Sequence, residues 1–248
     1  MKIMKKIKVK RVALVTGANR GIGYETAKRL AENGYIVLIA SRKISEAKNV
    51  VKEIVDAGGD AFPIKLNIIS GADINAACKF IAQRFKRLDV LVNNAGVFLD
   101  DVTIDPKYGR GSAFFAELKT IRETFEINTL GAFRLCQVFR PLMEKNKYGR
   151  IVNVSSGMGQ LVGMNGTRPA YRISKVALNA VTRIFADECK PLGIKVNSVC
   201  PGFVRTRMGG PEADLTPAEG AKTVAWLAML DSKGPTGKFF REKKVIAW

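Results

Sequence analysis

Arg11-Val12-Ala13-Leu14-Val15-Thr16, followed at once by Gly17-Ala18-Asn19-Arg20-Gly21-Ile22-Gly23, is the stretch that decides the fold. The first six residues form a short apolar, β-branched run, the pattern of a strand buried on both faces. Tyr24 to Asn33 is amphipathic at helical spacing and stops at Gly34. Strand, glycine-rich turn and helix in that order make a phosphate-binding βα unit. The glycines allow a tight turn and close backbone approach, and the helix N-terminus offers free N–H groups and a positive dipole end. Gly17, Asn19, Arg20, Gly21, Ile22 and Gly23 are therefore candidate contacts for a dinucleotide. The spacing is G-x-x-x-G-x-G, and a purely structural turn is the competing reading.

Working outward, Tyr35 to Ala40 is a second strand, followed by Ser41 and Arg42. In such a unit the end of this strand faces the adenosine ribose. An acid there bonds the 2′-hydroxyl of NAD, whereas arginine suits the 2′-phosphate of NADP. No Asp or Glu stands at the strand end, so Arg42 and Arg20 are expected to clamp a 2′-phosphate, favouring NADP(H). An exposed helix-cap arginine is the alternative for Arg42. Further alternation follows: helix Ile44–Ala57, strand Ala61–Leu66 ending at Asn67-Ile68, helix Gly71–Arg87, and strand Asp89–Val92 running into Asn93-Asn94-Ala95-Gly96. Small and amide residues at that strand end suit a crevice in which ligand lies against backbone. Val97 to Ser112, with Pro106, Gly109 and Gly111, is irregular and expected near a site mouth. One long helix is expected from about Phe115 to Lys145, ended or kinked at Pro141. Strand Arg150–Val154 ends in Ser155-Ser156, strand Ile194–Val199 ends at Cys200-Pro201-Gly202, and a loop, Phe203–Leu215, precedes helix Thr216–Met229. Short pieces at Lys238–Phe240 and Lys244–Trp248 close the chain. This order predicts one α/β, doubly wound Rossmann-type domain over residues 1–248, with a mostly parallel sheet of about seven strands. Residues 1–10 read as a basic lead-in, and 203–215 as a lid.

Composition narrows the class. The 248 residues carry 47% hydrophobic side chains, enough for a sizeable core, and a net charge of +19. Cys78, Cys136, Cys189 and Cys200 are scattered, form no C-x-x-C pair and have no histidine to join them. They read as reduced thiols of a cytoplasmic protein, with no metal site expected. No apolar run approaches the ~20 residues of a membrane span. The basic residues are spread along the chain without a nucleic-acid-binding motif, so no specific nucleic-acid partner is expected.

Tyr171-Arg172-Ile173-Ser174-Lys175 supplies the chemistry. Tyrosine and lysine four apart share one helical face. A free phenol titrates at about 10, and a neighbouring ammonium is expected to lower that. With no histidine in the chain, Tyr171 has few rivals for proton transfer near neutrality. Alone, the pair could be no more than a surface helix contact.

Taken together, Thr16-Gly17-x-x-x-Gly21-x-Gly23, Asn93-Asn94-Ala95-Gly96, Asn128, Ser155-Ser156, Tyr171-x-x-x-Lys175 and Pro201-Gly202 resemble the short-chain dehydrogenase/reductase family, in its order and over nearly the whole chain. Asn153 to Met158 and Gly234 to Phe240, with Trp248, resemble its carbonyl reductase branch. The long insertion that animal members of that branch carry before the tyrosine is absent, since only 157–170 separate Ser156 from Tyr171. The resemblance implies that Tyr171 is the general acid and base. It implies that Ser156, or alternatively Ser155, binds the substrate carbonyl. Lys175 would hold the nicotinamide ribose, and Asn128, at a helix break, would hold a relay water. Asn94, Ala95 and Gly96 would line the cofactor. Asn67, where the family commonly has Asp, would sit with Ile68 at the adenine, and Pro201, Gly202, Val204 and Thr206 at the nicotinamide. It also implies a homodimer or homotetramer. The expected activity is NADP-dependent reduction of an aldehyde or ketone, on hydrophobic carbonyls given the short lid. The alternatives are a biosynthetic ketoreductase for one metabolite and a catalytically silent NADP-binding regulator.

Overall fold

A computed structural model describes residues 10–100, 104, 105, 107 and 109–248. Most of the expected basic lead-in and Pro106 lie outside the described residues. The chain alternates β1 (Val12–Thr16), α1 (Gly21–Glu32), β2 (Ile36–Ser41), α2 (Ile44–Asp56), β3 (Asp60–Lys65), α3 (Gly71–Arg84) and β4 (Val90–Asn93). A two-residue pair, β5 (Ile104–Asp105) and β6 (Gly109–Arg110), stands apart. Then come α4 (Leu118–Phe125), α5 (Gly131–Glu144), β7 (Gly149–Val154), α6 (Pro169–Glu188), β8 (Ile194–Val199), α7 (Pro217–Ala228), β9 (Phe239–Arg241) and β10 (Lys244–Ile246).

The main sheet has eight strands in the order β10-β9-β8-β7-β4-β1-β2-β3. All neighbours are parallel except the β9–β10 hairpin. The strand order reverses between β1 and β4, which opens a crevice beyond their carboxyl ends. Alternate residues of each strand feed two cores. Leu14, Leu91 and Ile151 pack with Phe139 of α5 and Phe185 of α6 on one face. Ala13, Val90 and Val152 pack with Leu30 of α1, Val50 of α2 and Leu227 of α7 on the other. Burial on both faces is why these strands read as continuous apolar runs.

Three expectations change. The sheet gains one antiparallel strand, β10. The third helix stops at Arg84, because Lys86 turns left-handed at φ 59°. The single helix expected from Phe115 is instead a 3₁₀ turn (Ala113–Phe115), α4, a π-helical turn (Glu126–Leu130) and α5. Pro141 lies inside α5 without ending it. Burial of Phe139, Leu142 and Met143 holds the helix through that point.

Candidate active site

The glycine turn is built for close approach. Gly17 sits at φ 62°, and a Cβ there would stand 3.1 Å from the Ala95 Cα. A Cβ on Gly23 would stand 2.5 Å from Asn94 Nδ2 and 2.6 Å from the Gly17 carbonyl oxygen. Asn94 donates from Nδ2 to the carbonyls of Thr16 (2.9 Å) and Gly17 (3.2 Å). The Thr16 hydroxyl accepts the N–H groups of Asn94 and Ala95, both at 3.0 Å. It thereby fastens the ends of β1 and β4, a role that its position at a strand end only hints at. Arg20, the N-cap of α1, makes no side-chain cap, and the first turn holds no acid. Those helix N–H groups thus remain for an anion, and the turn fits a pyrophosphate.

At the adenosine end, an acid does approach, but from α2. Glu46 accepts from Asn19 Nδ2 (2.8 Å) and from the Ser41 hydroxyl (3.2 Å). Arg20 and Arg42 are both exposed on this rim. The Asn67 N–H is held by Asp73 (2.9 Å), and Ile68 packs under Gly131 in the core, so its side chain serves packing.

The catalytic candidates converge. Tyr171, 8% exposed, has its hydroxyl close enough to the Ser156 side chain for that serine to pull its titration down. Ser156 also accepts the Met158 N–H at 3.1 Å, which fixes its rotamer. Ser155 turns the other way, is buried, and donates to the Lys175 carbonyl (3.4 Å). Ser156 is therefore the serine facing Tyr171. Lys175 lies with Nζ 5.5 Å from the Tyr171 ring centroid and donates to the Val154 carbonyl at 2.8 Å. Asn128 sits in the π-helical turn, as its expected helix break requires. Its side chain accepts the Val97 N–H (2.8 Å) and donates to the Val97 carbonyl (2.9 Å) and the Ser174 hydroxyl (3.1 Å). It thus clamps the β4 exit to α6. Asn93 is structural: it donates to Asn153 (2.8 Å), which donates to Thr182 (2.8 Å) inside the core.

One expectation is corrected here. The Tyr171 hydroxyl is not lowered but pushed up to about 12, chiefly by burial, with Ser156 pulling down and Cys200 pushing up. Burial also drops Lys175 to about 8. Burial of the phenol outweighs the neighbouring ammonium, whose own charged form is disfavoured by burial and whose N–H is directed at the Val154 carbonyl.

A family model described as short chain dehydrogenase matches residues 11–215. The chain belongs to the short-chain dehydrogenase family. Among its relatives, carbonyl reductase [NADPH] 1 of Sus scrofa is 33% identical, covering 96% of this chain and 94% of that protein. A (+)-neomenthol dehydrogenase of Capsicum annuum is 30% identical over 95% and 96%. The NADPH-bound carbonyl reductase from chicken fatty liver superposes with a TM-score of 0.81 at 29% identity, covering 97% and 99%.

In this short-chain dehydrogenase the segment after β8 folds back toward the glycine turn. After Pro201-Gly202, Val204 pairs with Leu215 and is buried. Arg205 donates its N–H to the Leu215 carbonyl (2.8 Å), which closes the 203–215 loop on itself. Thr206 reaches back to the glycine turn, its Cγ2 3.3 Å from where a Gly21 Cβ would stand. Phe98 lies against Tyr171 at 5.1 Å between centroids, so it packs on that ring. Cys200 accepts the Gly157 N–H at 3.1 Å beside the same phenol. Glu46, Asp100 and the Val154 carbonyl also belong to the site. None carries a local sequence signal, because each acts through a contact distant in the chain.

Proposed function

We propose that this short-chain dehydrogenase reduces aldehydes and ketones with NADPH, in one catalytic unit spanning the chain. The observation that carries this is the meeting of the Ser156 and Tyr171 hydroxyls beside Lys175, at the carboxyl ends of β7 and β8. NADPH, when bound, supplies the hydride. The uncapped N-terminus of α1 and the close-packed Gly17 and Gly23 would hold its pyrophosphate, Arg20 and Arg42 its 2′-phosphate, and Lys175 its nicotinamide ribose. As negative charge grows on the substrate oxygen, Ser156 donates a hydrogen bond and Tyr171 donates its proton. A phenol kept protonated by burial suits that direction, because an alkoxide is far more basic than a phenolate. The exposed Phe114, Phe115, Leu161, Val162 and Phe203 suit an apolar substrate, with 203–215 as its lid.

The four cysteines are free thiols, and no helix of the described residues is long and apolar enough to cross a membrane. Both fit a cytoplasmic enzyme. A groove on α5 and α6, about 550 Å³ and lined by Phe133, Ile184, Phe185 and Leu192, suits pairing of two copies as a homodimer or homotetramer. The test is NADPH oxidation over a panel of aliphatic, aromatic and cyclic carbonyls, repeated with NADH. Turnover confined to NADPH is the expected result, and no turnover with any carbonyl rejects the proposal.

A further inference from the structure

Helix α6 carries Tyr171 in its first turn, and that turn lacks a cap of its own. Its N-cap residue, Arg168, is left-handed at φ 55° and makes no side-chain capping hydrogen bond. Pro169 has no N–H to satisfy. The next two N–H groups, of Ala170 and Tyr171, are both taken by the carboxylate of Asp100, seventy residues earlier in the chain. Oδ1 accepts from Ala170 and Oδ2 from Tyr171, each at 2.9 Å.

Asp100 is itself held in place. Val97, three residues before it, is fixed through both its N–H and its carbonyl by Asn128. Phe98, between the two anchors, lays its ring against Tyr171, and the Arg168 guanidinium stands 5.8 Å from the Phe98 centroid. Beyond, the 111–113 strip pairs with 166–168: Ala113 donates to the Gly166 carbonyl (2.9 Å) and Arg168 to the Gly111 carbonyl (2.7 Å). Tyr171 is thus held at two points, its N–H by Asp100 and its ring by Phe98, with its hydroxyl beside Ser156.

We propose that Asp100 is a positioning residue, which caps α6 from the β4 exit and so sets the Tyr171 ring against Ser156. This rests on the reductase function proposed above. A carboxylate at a helix N-terminus is favoured by both hydrogen bonding and the helix dipole. Its effect on catalysis follows from placement, since a small displacement of an acid from its acceptor costs rate without costing cofactor binding.

The test uses the full-length protein and the variants Asp100→Asn and Asp100→Ala. Three readouts are taken: kcat and KM for 4-nitrobenzaldehyde with NADPH, the NADPH Kd from its fluorescence, and hydrogen exchange of a peptide covering 169–175. Asp100→Ala is expected to lower kcat about 10- to 100-fold, with KM and the NADPH Kd within about twofold. Exchange in 169–175 should rise about tenfold. Asp100→Asn keeps one acceptor and should fall between wild type and Ala. A kcat for Asp100→Ala within about twofold of wild type overturns the proposal. So does unchanged exchange, or equal loss of kcat and NADPH affinity in both variants. A wild-type protein that turns over no carbonyl rejects the reductase function instead. In that case the exchange data alone decide the cap, a rise upholding it and no change removing it.

Discussion

Tyr171 and Lys175 are neighbours whose burial pushes their titrations apart, the phenol up to about 12 and the ammonium down to about 8. The phenol is therefore protonated near neutral pH, as a general acid in reduction must be. Tyr171→Phe removes that proton and nothing else of the ring. Turnover should drop by at least about 10²–10³, with the NADPH Kd near normal; substantial residual kcat would move the acid elsewhere. Lys175 makes a separate, thermodynamic prediction. Its folded value lies below the 10.5 of a free lysine, so the fold gives up the proton first. Between about pH 8 and 10.5 the unfolded chain binds more protons, and stability rises with pH. Against Lys175→Met as reference, wild type should gain up to about 3 kcal/mol across that window. Urea midpoints for both proteins at pH 7.5 and pH 10 measure it, and parallel shifts would show that Lys175 is not desolvated as described.

At the scale of elements, the glycine turn and the end of β2 do most to define the cofactor. Arg42 follows β2 directly and is exposed, and Glu46 is held by Asn19 and Ser41. Arg42→Ala should raise the KM for NADPH about tenfold or more and leave that for NADH nearly unchanged, as expected of a guanidinium on a phosphate. Equal effects on both would place the 2′-phosphate elsewhere. These features were legible because they are local. A buried parallel strand, a glycine turn and a helix each leave a periodic trace within a dozen residues, and Tyr171 and Lys175 share one helix face. What was illegible is long-range or directional. The π-helical turn at Asn128 hides inside an apolar pattern that continues from α4 into α5. Asp100 and Glu46 look like ordinary surface acids until the fold carries them to Tyr171 and Asn19. Ser155 and Ser156 are told apart only by the directions of their side chains, and the pKa of Tyr171 only by how deeply α6 is buried.

Across the whole molecule, chemistry and fastening lie at opposite ends of the sheet. The carboxyl ends of β1, β4, β7 and β8 carry the candidate site, whereas the other end is closed by Arg150, which is fully buried. Its guanidinium donates to the carbonyls of Leu230 (2.7 Å), Asp231 (2.6 Å) and Gly149 (2.6 Å). It stacks on Tyr148 at 4.0 Å, and Arg11 stands 4.0 Å from the same ring. No carboxylate pairs with the Arg150 guanidinium among the described residues; carbonyl oxygens at the end of α7 and the start of β7 satisfy it instead. Arg150→Met fills much of the same volume but orphans those carbonyls. The loss should be about 3–5 kcal/mol, since each buried acceptor left unpaired costs about 1–3 kcal/mol. For a chain of this size that corresponds to a fall in Tm of roughly 10 °C. The site is built from β4, β7 and α6 residues that do not touch Arg150, so kcat and the KM for NADPH, measured well below the transition, should stay within about twofold of wild type. A large loss of kcat at full folding would mean that the far end of the sheet sets the geometry of Tyr171, and that stability and catalysis are not separable in this fold.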